Sequence, residues 1–249
     1  MSAEPIRVSP GWLELRESAD AAARSRELVA QIPSRSPWVI HDLACGSGAM
    51  GRWLAPLLPG PQRWILHDRD ADLLELAATN VPAGAVVETR VSDITLLGPD
   101  DLADASLITA SALLDLLTGD ELAALLDACA GAGCPVLFTL SVTGRVDLAP
   151  ADRLDARVAA AFNAHQRRLT PRGRLLGPDA VEAAVESFRR LGADADLTVA
   201  WLTGWVGAAC EQEPRLADDA ELFRRRRLRE AEAGRLAVTV DHADLLVLP

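Results

Sequence analysis

HDLACGSGAMG, His41 to Gly51, sets three glycines in the spacing GxGxxG at Gly46, Gly48 and Gly51. Immediately before them, WVIHDL (38 to 43) is a short, largely apolar run bounded by PSRSP on one side and the glycines on the other, the pattern of a buried strand. Immediately after, MGRWLAPLL has helical character and is stopped by PGP. A glycine-rich turn between strand and helix lets backbone amides approach a ligand closely, because glycine accepts positive φ and interposes no side chain.

Outward from this unit the same alternation repeats. RWILHD (63 to 68) precedes ADLLELAATN, AVVETRV (85 to 91) and ASLITA (105 to 110) follow, and GDELAALLDACAGAG leads into PVLFTLSV (135 to 142). Short apolar strands alternating with helices imply parallel strands covered on both faces and joined by right-handed crossovers. The chain is therefore expected to form one α/β domain built on a doubly wound, mostly parallel sheet. WLELRESADAAARSRELVAQ (12 to 31) reads as an amphipathic N-terminal helix, within a helical cap over 1–35 that precedes a cofactor-binding core over 36–142. In the remainder, 143–249, helices are expected over 152–168, 177–192 and most of 214–234, and RLAVTVDHADLLVLP (235 to 249) alternates like a final strand.

Composition narrows the function classes. The chain has 249 residues and a formal net charge of −11, a surface that repels phosphate backbones unless basic residues are concentrated somewhere. The basic run Arg224 to Arg227 is flanked by acids and reads as a solvated helix face. Lys and Tyr are both absent, which removes two common catalytic side chains. No apolar run approaches the roughly 18 residues that span a bilayer, and MSAEPIRVSP lacks a basic and apolar leader, so a cytoplasmic protein without membrane attachment is expected. The four cysteines, at 45, 129, 134 and 210, show neither CxxC spacing nor nearby His partners; no metal site is expected, and the thiols read as reduced and buried.

In an open α/β sheet the ligand sits beyond the C-terminal strand ends, with the first strand-to-helix loop as a principal contact. GxGxxG alone suits a nicotinamide dinucleotide, but Asp42 stands four positions before Gly46, where a carboxylate would repel a diphosphate and attract an amine. DLACGSG resembles the DxGxGxG loop of class I S-adenosylmethionine-dependent methyltransferases, with Ala44 in place of the first glycine. That resemblance covers roughly residues 36 to 142. It implies a seven-stranded sheet ending in an antiparallel pair, of which the sixth strand has only the short stretch near 193–200 to occupy.

It also implies the cofactor contacts. Asp42 would orient the methionyl ammonium, with Ala44, Cys45, Gly46 and Gly48 lining the loop. Asp68, at the end of the second strand, would grip the ribose diol beside Arg69. Asp93 would meet the adenine amine and Ile94 the ring, and Ala110 and Ser111 of TASALLDLLT would lie under the methionine moiety. S-adenosyl-L-methionine is then the cofactor and S-adenosyl-L-homocysteine the product.

Methyl transfer needs mainly proximity and alignment, and a general base helps only a weakly acidic acceptor. His165 in FNAHQRR is the candidate by residue type, with Asn163 and Gln166 as orienting groups and Asp115 as a possible substrate contact. His41 and His67 read as satisfied core residues, and His242 as part of the tail strand. Arg16, Arg24, Arg145, Arg167 and Arg168 are candidates for an anionic small molecule. TASA stands where many amino-methylating nucleic-acid enzymes carry NPPY, which favours a small acceptor. The alternatives are an RNA methyltransferase, a nicotinamide-dependent oxidoreductase and a non-catalytic adaptor; oligomeric state is not legible.

Overall fold

The computed structural model describes residues 8–81, 84–184, 212–213 and 217–248. Its centre is a six-stranded sheet in the order β3-β2-β1-β4-β5-β8. The strands are β1 (Trp38–Leu43), β2 (Gln62–Asp68), β3 (Val86–Val91), β4 (Leu107–Ser111), β5 (Val136–Ala149) and β8 (Ala237–Val247). β1 to β5 run parallel and β8 closes the edge antiparallel to β5. A small hairpin of β6 (Leu169–Thr170) and β7 (Gly173–Arg174) lies apart. Thus six strands of the expected seven are present among the described residues, and the stretch near 193–200 lies outside them.

Alternation along the strands separates two apolar layers. Ile40, Trp64, Leu66, Leu107 and Leu137 face one side, against Met50, Trp53 and Leu54 of α3 (Ala49–Leu54) and Leu74 and Ala77 of α4 (Ala71–Thr79). Ile108, Ala110, Val136 and Phe138 face the other, against Leu122, Leu125 and Cys129 of α5 (Gly119–Gly131). Cys45, Cys129 and Cys134 are buried free thiols. On that second side β1 and β2 present histidines, and both are fully buried as expected. His41 Nδ1 lies 3.0 Å from His67 Nε2, His41 Nε2 lies 2.9 Å from Asp104 Oδ1, and His67 Nδ1 lies 3.1 Å from Ser92 Oγ.

Three departures from the sequence reading bear on the site. The N-terminal helix breaks at Arg24 and Ser25 into α1 (Pro10–Ala23) and α2 (Arg26–Val29), where Ser25 caps the second piece through its Oγ. β5 continues far beyond residue 142 to Ala149 and pairs with the start of β8, making a two-stranded ribbon where only helical additions were expected. The ribbon packs through Leu148 on α6 (Asp155–Gln166) and α8 (Ala217–Glu232), with Val158, Ala161 and Phe223 completing this third cluster. Finally, the arginine run is only partly solvated. Arg227 is buried, its Nη2 donating to both carboxylate oxygens of Asp155 at 2.5 and 2.6 Å, while Arg224 and Arg225 pair with Glu221 and Arg226 with Asp152. The helix expected over 177–192 is described only as a turn at Gly177–Asp179 and α7 (Ala180–Ala184); the rest lies outside the described residues.

Candidate cofactor and acceptor site

At the C-terminal ends of β1 to β4 the sheet opens into a cavity of about 660 Å³, covered by α1, by α6 and by the β5–β8 ribbon. A smaller recess of about 70 Å³ continues it beneath α1, between Arg24, Asp42, the glycine loop and Ser111. Volumes of this order suit small-molecule ligands.

The glycine loop is built by its backbone. Ala44, Gly46 and Gly48 have φ of 52°, 53° and 82°, all in the left-handed region. That explains why glycine is usual at the first of these places: an L-residue pays about 1–2 kcal/mol there. At Gly48 a Cβ would also lie 3.2 Å from Ala77 Cα and Cβ. Gly51, by contrast, sits in α3 with ordinary contact to Trp64 and lines neither hollow.

Asp68 holds this loop in place. Its Oδ2 accepts the Gly46 amide at 2.9 Å and its Oδ1 the Asp70 amide at 2.9 Å. A carboxylate has about four lone-pair sites, so Asp68, which lines the cavity, retains acceptor capacity for a ligand. Asp42 is fully buried at the end of β1, opposite Thr109 in the strand register. Its Oδ1 accepts from Thr109 Oγ1 at 2.9 Å, and its Oδ2 has no partner among the described residues. Burial pushes this carboxyl from 3.8 to about 7, against the opposing pull of the Thr109 hydrogen bond and the Arg24 charge.

Arg24 is the matching cation. It is 4% exposed, stacks over Trp53 with its Cζ 5.6 Å from the ring centroid, and donates from Nη2 to Ser111 Oγ at 3.0 Å. Its Nε and Nη1 have no partner among the described residues. The helix that carries it is pinned across the sheet end by Arg52, whose Nε and Nη2 each donate to Glu17 at 2.6 Å, and by the Ser25 amide, which donates to Asp244 Oδ2 at 2.6 Å.

Of the residues picked out in the sequence, Ala44, Gly46, Asp68, Arg69, Asp93, Ile94, Ser111, Asp115, Asn163 and Gln166 line the cavity, and Asp42 and Cys45 line the recess. Asp93 also caps the following turn, accepting from the Thr95 amide and hydroxyl. Asn163 donates to the Gly144 carbonyl at 2.7 Å, fastening α6 to the ribbon. Gly48, Ala110 and His165 line neither hollow. Among the arginines, Arg16 pairs with Asp20, Arg145 with Asp147 and Arg167 with Asp179, while Arg168 donates to the His165 carbonyl; Arg24 alone of the five is buried with nitrogens to spare. The sequence reading gave no part in the site to Trp12, His242 or the ribbon valines, all of which line the cavity.

The strand order 3-2-1-4-5 with an antiparallel last strand, and a glycine loop between acids at the ends of β1 and β2, define the class I S-adenosylmethionine-dependent methyltransferase fold. No family model matches the chain, and no curated protein does either. Among solved structures it is similar to the cyclopropane synthase MmaA2 from Mycobacterium tuberculosis, at 12% identity and a TM-score of 0.53 over 96% of this chain and 95% of that one. It is also similar to the apo-form of the mycolic acid cyclopropane synthase CmaA1, at 11% identity and a TM-score of 0.50 over 96% of this chain and 100% of that one. At these identities the likeness is one of fold. Among the described residues no helix is long and apolar enough to cross a membrane.

Proposed function

We propose that the protein is a methyltransferase that uses S-adenosylmethionine and acts on a small-molecule acceptor. The observation that carries this reading is the recess beside the glycine loop. It brings a buried carboxylate, Asp42, near a buried guanidinium, Arg24, with one oxygen of the first and two nitrogens of the second having no partner among the described residues. Buried charged groups without partners are costly, and opposite ones a short distance apart suit a zwitterion, the amino-acid end of this cofactor. A diphosphate would meet Asp42 unfavourably.

The donor set fits the rest of the group. Asp42 would take the ammonium and Arg24 the carboxylate, Asp68 the ribose hydroxyls, Asp93 the adenine amine and Ile94 its ring. When bound, the cofactor supplies an electrophilic methyl carbon on a cationic sulfur, displaced in line. The chain's own part is positional. Asp68 fixes the loop amides, and α1 and the ribbon exclude water from the site. The size of the cavity and the pairing of Arg224 to Arg227 with acids support a small acceptor over a nucleic acid.

Calorimetric titration with S-adenosylhomocysteine, 5′-methylthioadenosine and NADH tests this. The first two should bind; Arg24→Met and Asp42→Asn should weaken the homocysteine compound by tenfold or more and leave methylthioadenosine, which lacks the amino-acid end, unchanged. Binding of NADH alone, or of none of the three, would overturn the reading.

A further inference from the structure

Beyond the cofactor end, the cavity is lined by a carboxylate that forms no ion pair among the described residues. Asp115 lies in the single 3₁₀ turn Leu114–Leu116 that follows β4, and its carboxylate lines the cavity. No ion pair to it exists among the described residues. Its hydrogen bond is to its own backbone amide, and Arg16 and Arg168 act on it only through space. Arg16 is paired with Asp20 at 2.9 Å, and Arg168, which donates to the His165 carbonyl at 3.2 Å, does not line the cavity. Arg145 and Arg172, the other arginines toward this end, pair with Asp147 and Glu121.

Gln166, on the last turn of α6, also lines the cavity. The turn bearing Asp115 and helix α6 both pack on the turn Gly177–Asp179. Around them the wall is apolar: Trp12, Leu116, Val142, Val146, Phe162 and Val240.

We propose that Asp115 is an anchor for a protonated amine, and that the acceptor is a cationic, amine-bearing molecule with an apolar body. This rests on the methyltransferase reading only for the word acceptor, since the charge argument concerns the cavity itself. Among the described residues the arginines that line the cavity here, Arg16, Arg145 and Arg172, are each paired with an acid, so an anionic acceptor would face a carboxylate. A neutral hydroxyl would leave the half-buried carboxylate without a counter-ion. An ammonium supplies both the missing charge and up to three donors, one of them for Asp115.

The test uses three isosteric probes, 2-phenylethylamine, 2-phenylethanol and phenylacetate, titrated into the full-length protein with and without saturating S-adenosylhomocysteine. The amine should bind about tenfold or more tightly than the alcohol, as expected for gaining a desolvated charge-assisted contact, and phenylacetate should bind weakest. In Asp115→Asn the preference for amine over alcohol should vanish while the affinity for S-adenosylhomocysteine is retained. An amine that binds no better than its alcohol, or a preference that survives in Asp115→Asn, overturns the proposal. Failure of S-adenosylhomocysteine to bind would instead remove the methyltransferase reading, and the amine series without it would still decide the role of Asp115. The wild-type series stands on its own if the variant does not fold.

Discussion

Asp68 and Gly46, 22 positions apart, are joined by a 2.9 Å hydrogen bond from the glycine amide to the aspartate carboxylate. The acid at the end of the second strand is thus part of the first strand's loop, as well as a wall of the cavity. Cutting it back should therefore do more than remove one ligand contact. Asp68→Ala leaves the Gly46 and Asp70 amides without their acceptor, and hydrogen bonds to charged groups contribute about 1.5–3 kcal/mol each. We expect S-adenosylhomocysteine affinity to fall at least a hundredfold together with a drop in Tm, whereas Asp68→Asn, which keeps one acceptor, should lose less of both. Equal losses in the two variants would show that charge alone matters.

On the proposed reading, with Asp42 meeting the ammonium, cofactor binding should depend on pH. Its carboxyl, raised by burial to about 7, is largely protonated below that value and offers an ammonium no charge. S-adenosylhomocysteine should bind more tightly at pH 8 than at pH 6, by up to tenfold per unit below about 7, and binding should release a proton near neutrality. The ligand-free protein should behave oppositely. Because the folded state holds a proton that the unfolded state loses near 3.8, this group's contribution to stability declines as pH rises from there to about 7. Asp42→Asn should flatten both trends, read by calorimetry in two buffers and by melting.

The loop's left-handed residues predict opposite responses to opposite substitutions. Ala44→Gly relieves a φ of 52° and should be neutral or stabilising by up to about 1 kcal/mol. Gly48→Ala imposes a side chain at φ 82° and against Ala77, and should destabilise by about 1–3 kcal/mol. Thermal melts of the two variants settle the order, and a stabilised Gly48→Ala would refute the loop geometry.

How much of this was written in the chain varies with how local its cause is. β1 was legible to the residue because its apolar run ends abruptly in glycine, and the acids at 42, 68 and 93 stand in or just after strands where spacing places them. The ribbon was missed although Val142, Val146 and Leu148 alternate, because Gly144 and three polar residues interrupt the run and its partner is supplied only by β8, far along the chain. His165 illustrates a phase error. In the alanine-rich stretch AAAFNAHQ no apolar stripe fixes which face of α6 turns inward, and packing brings Phe162, Asn163 and Gln166 to the cavity in its place. Arg24 was one of five arginines named as candidates for an anionic small molecule, and nothing in the sequence set it apart, since its burial depends on α1 crossing the sheet end.

The buried histidine pair should make the fold sensitive to acid. Burial lowers the His67 pKa to about 4, and His41 is lowered too. Below 6.5 the unfolded chain takes up a proton that the folded one refuses, so stability is present above about 6.5 and falls as pH drops towards 4, by about 3 kcal/mol for His67. Denaturant midpoints between pH 7 and 4 measure this slope. It should be reduced in His67→Gln, and an unchanged slope would place the acid sensitivity elsewhere.

Asp244 couples the last strand to both the site and the N-terminal helix. Its Oδ1 accepts the amide of Leu140, a residue held at φ 58° in the bulge where β5 shifts register, and its Oδ2 accepts the amide of Ser25, next to Arg24. Asp244→Ala strands both amides at the point where the ribbon leaves the sheet. Two lost bonds to a buried carboxylate should cost about 2–5 kcal/mol. Because the turn after Arg24 then loses its anchor, S-adenosylhomocysteine should also bind more weakly, while 5′-methylthioadenosine, which does not reach Arg24, should bind as before. A variant that melts earlier yet binds both compounds normally would show that α1 is held well enough by the Arg52 and Glu17 pair, and that Asp244 serves the bulge alone.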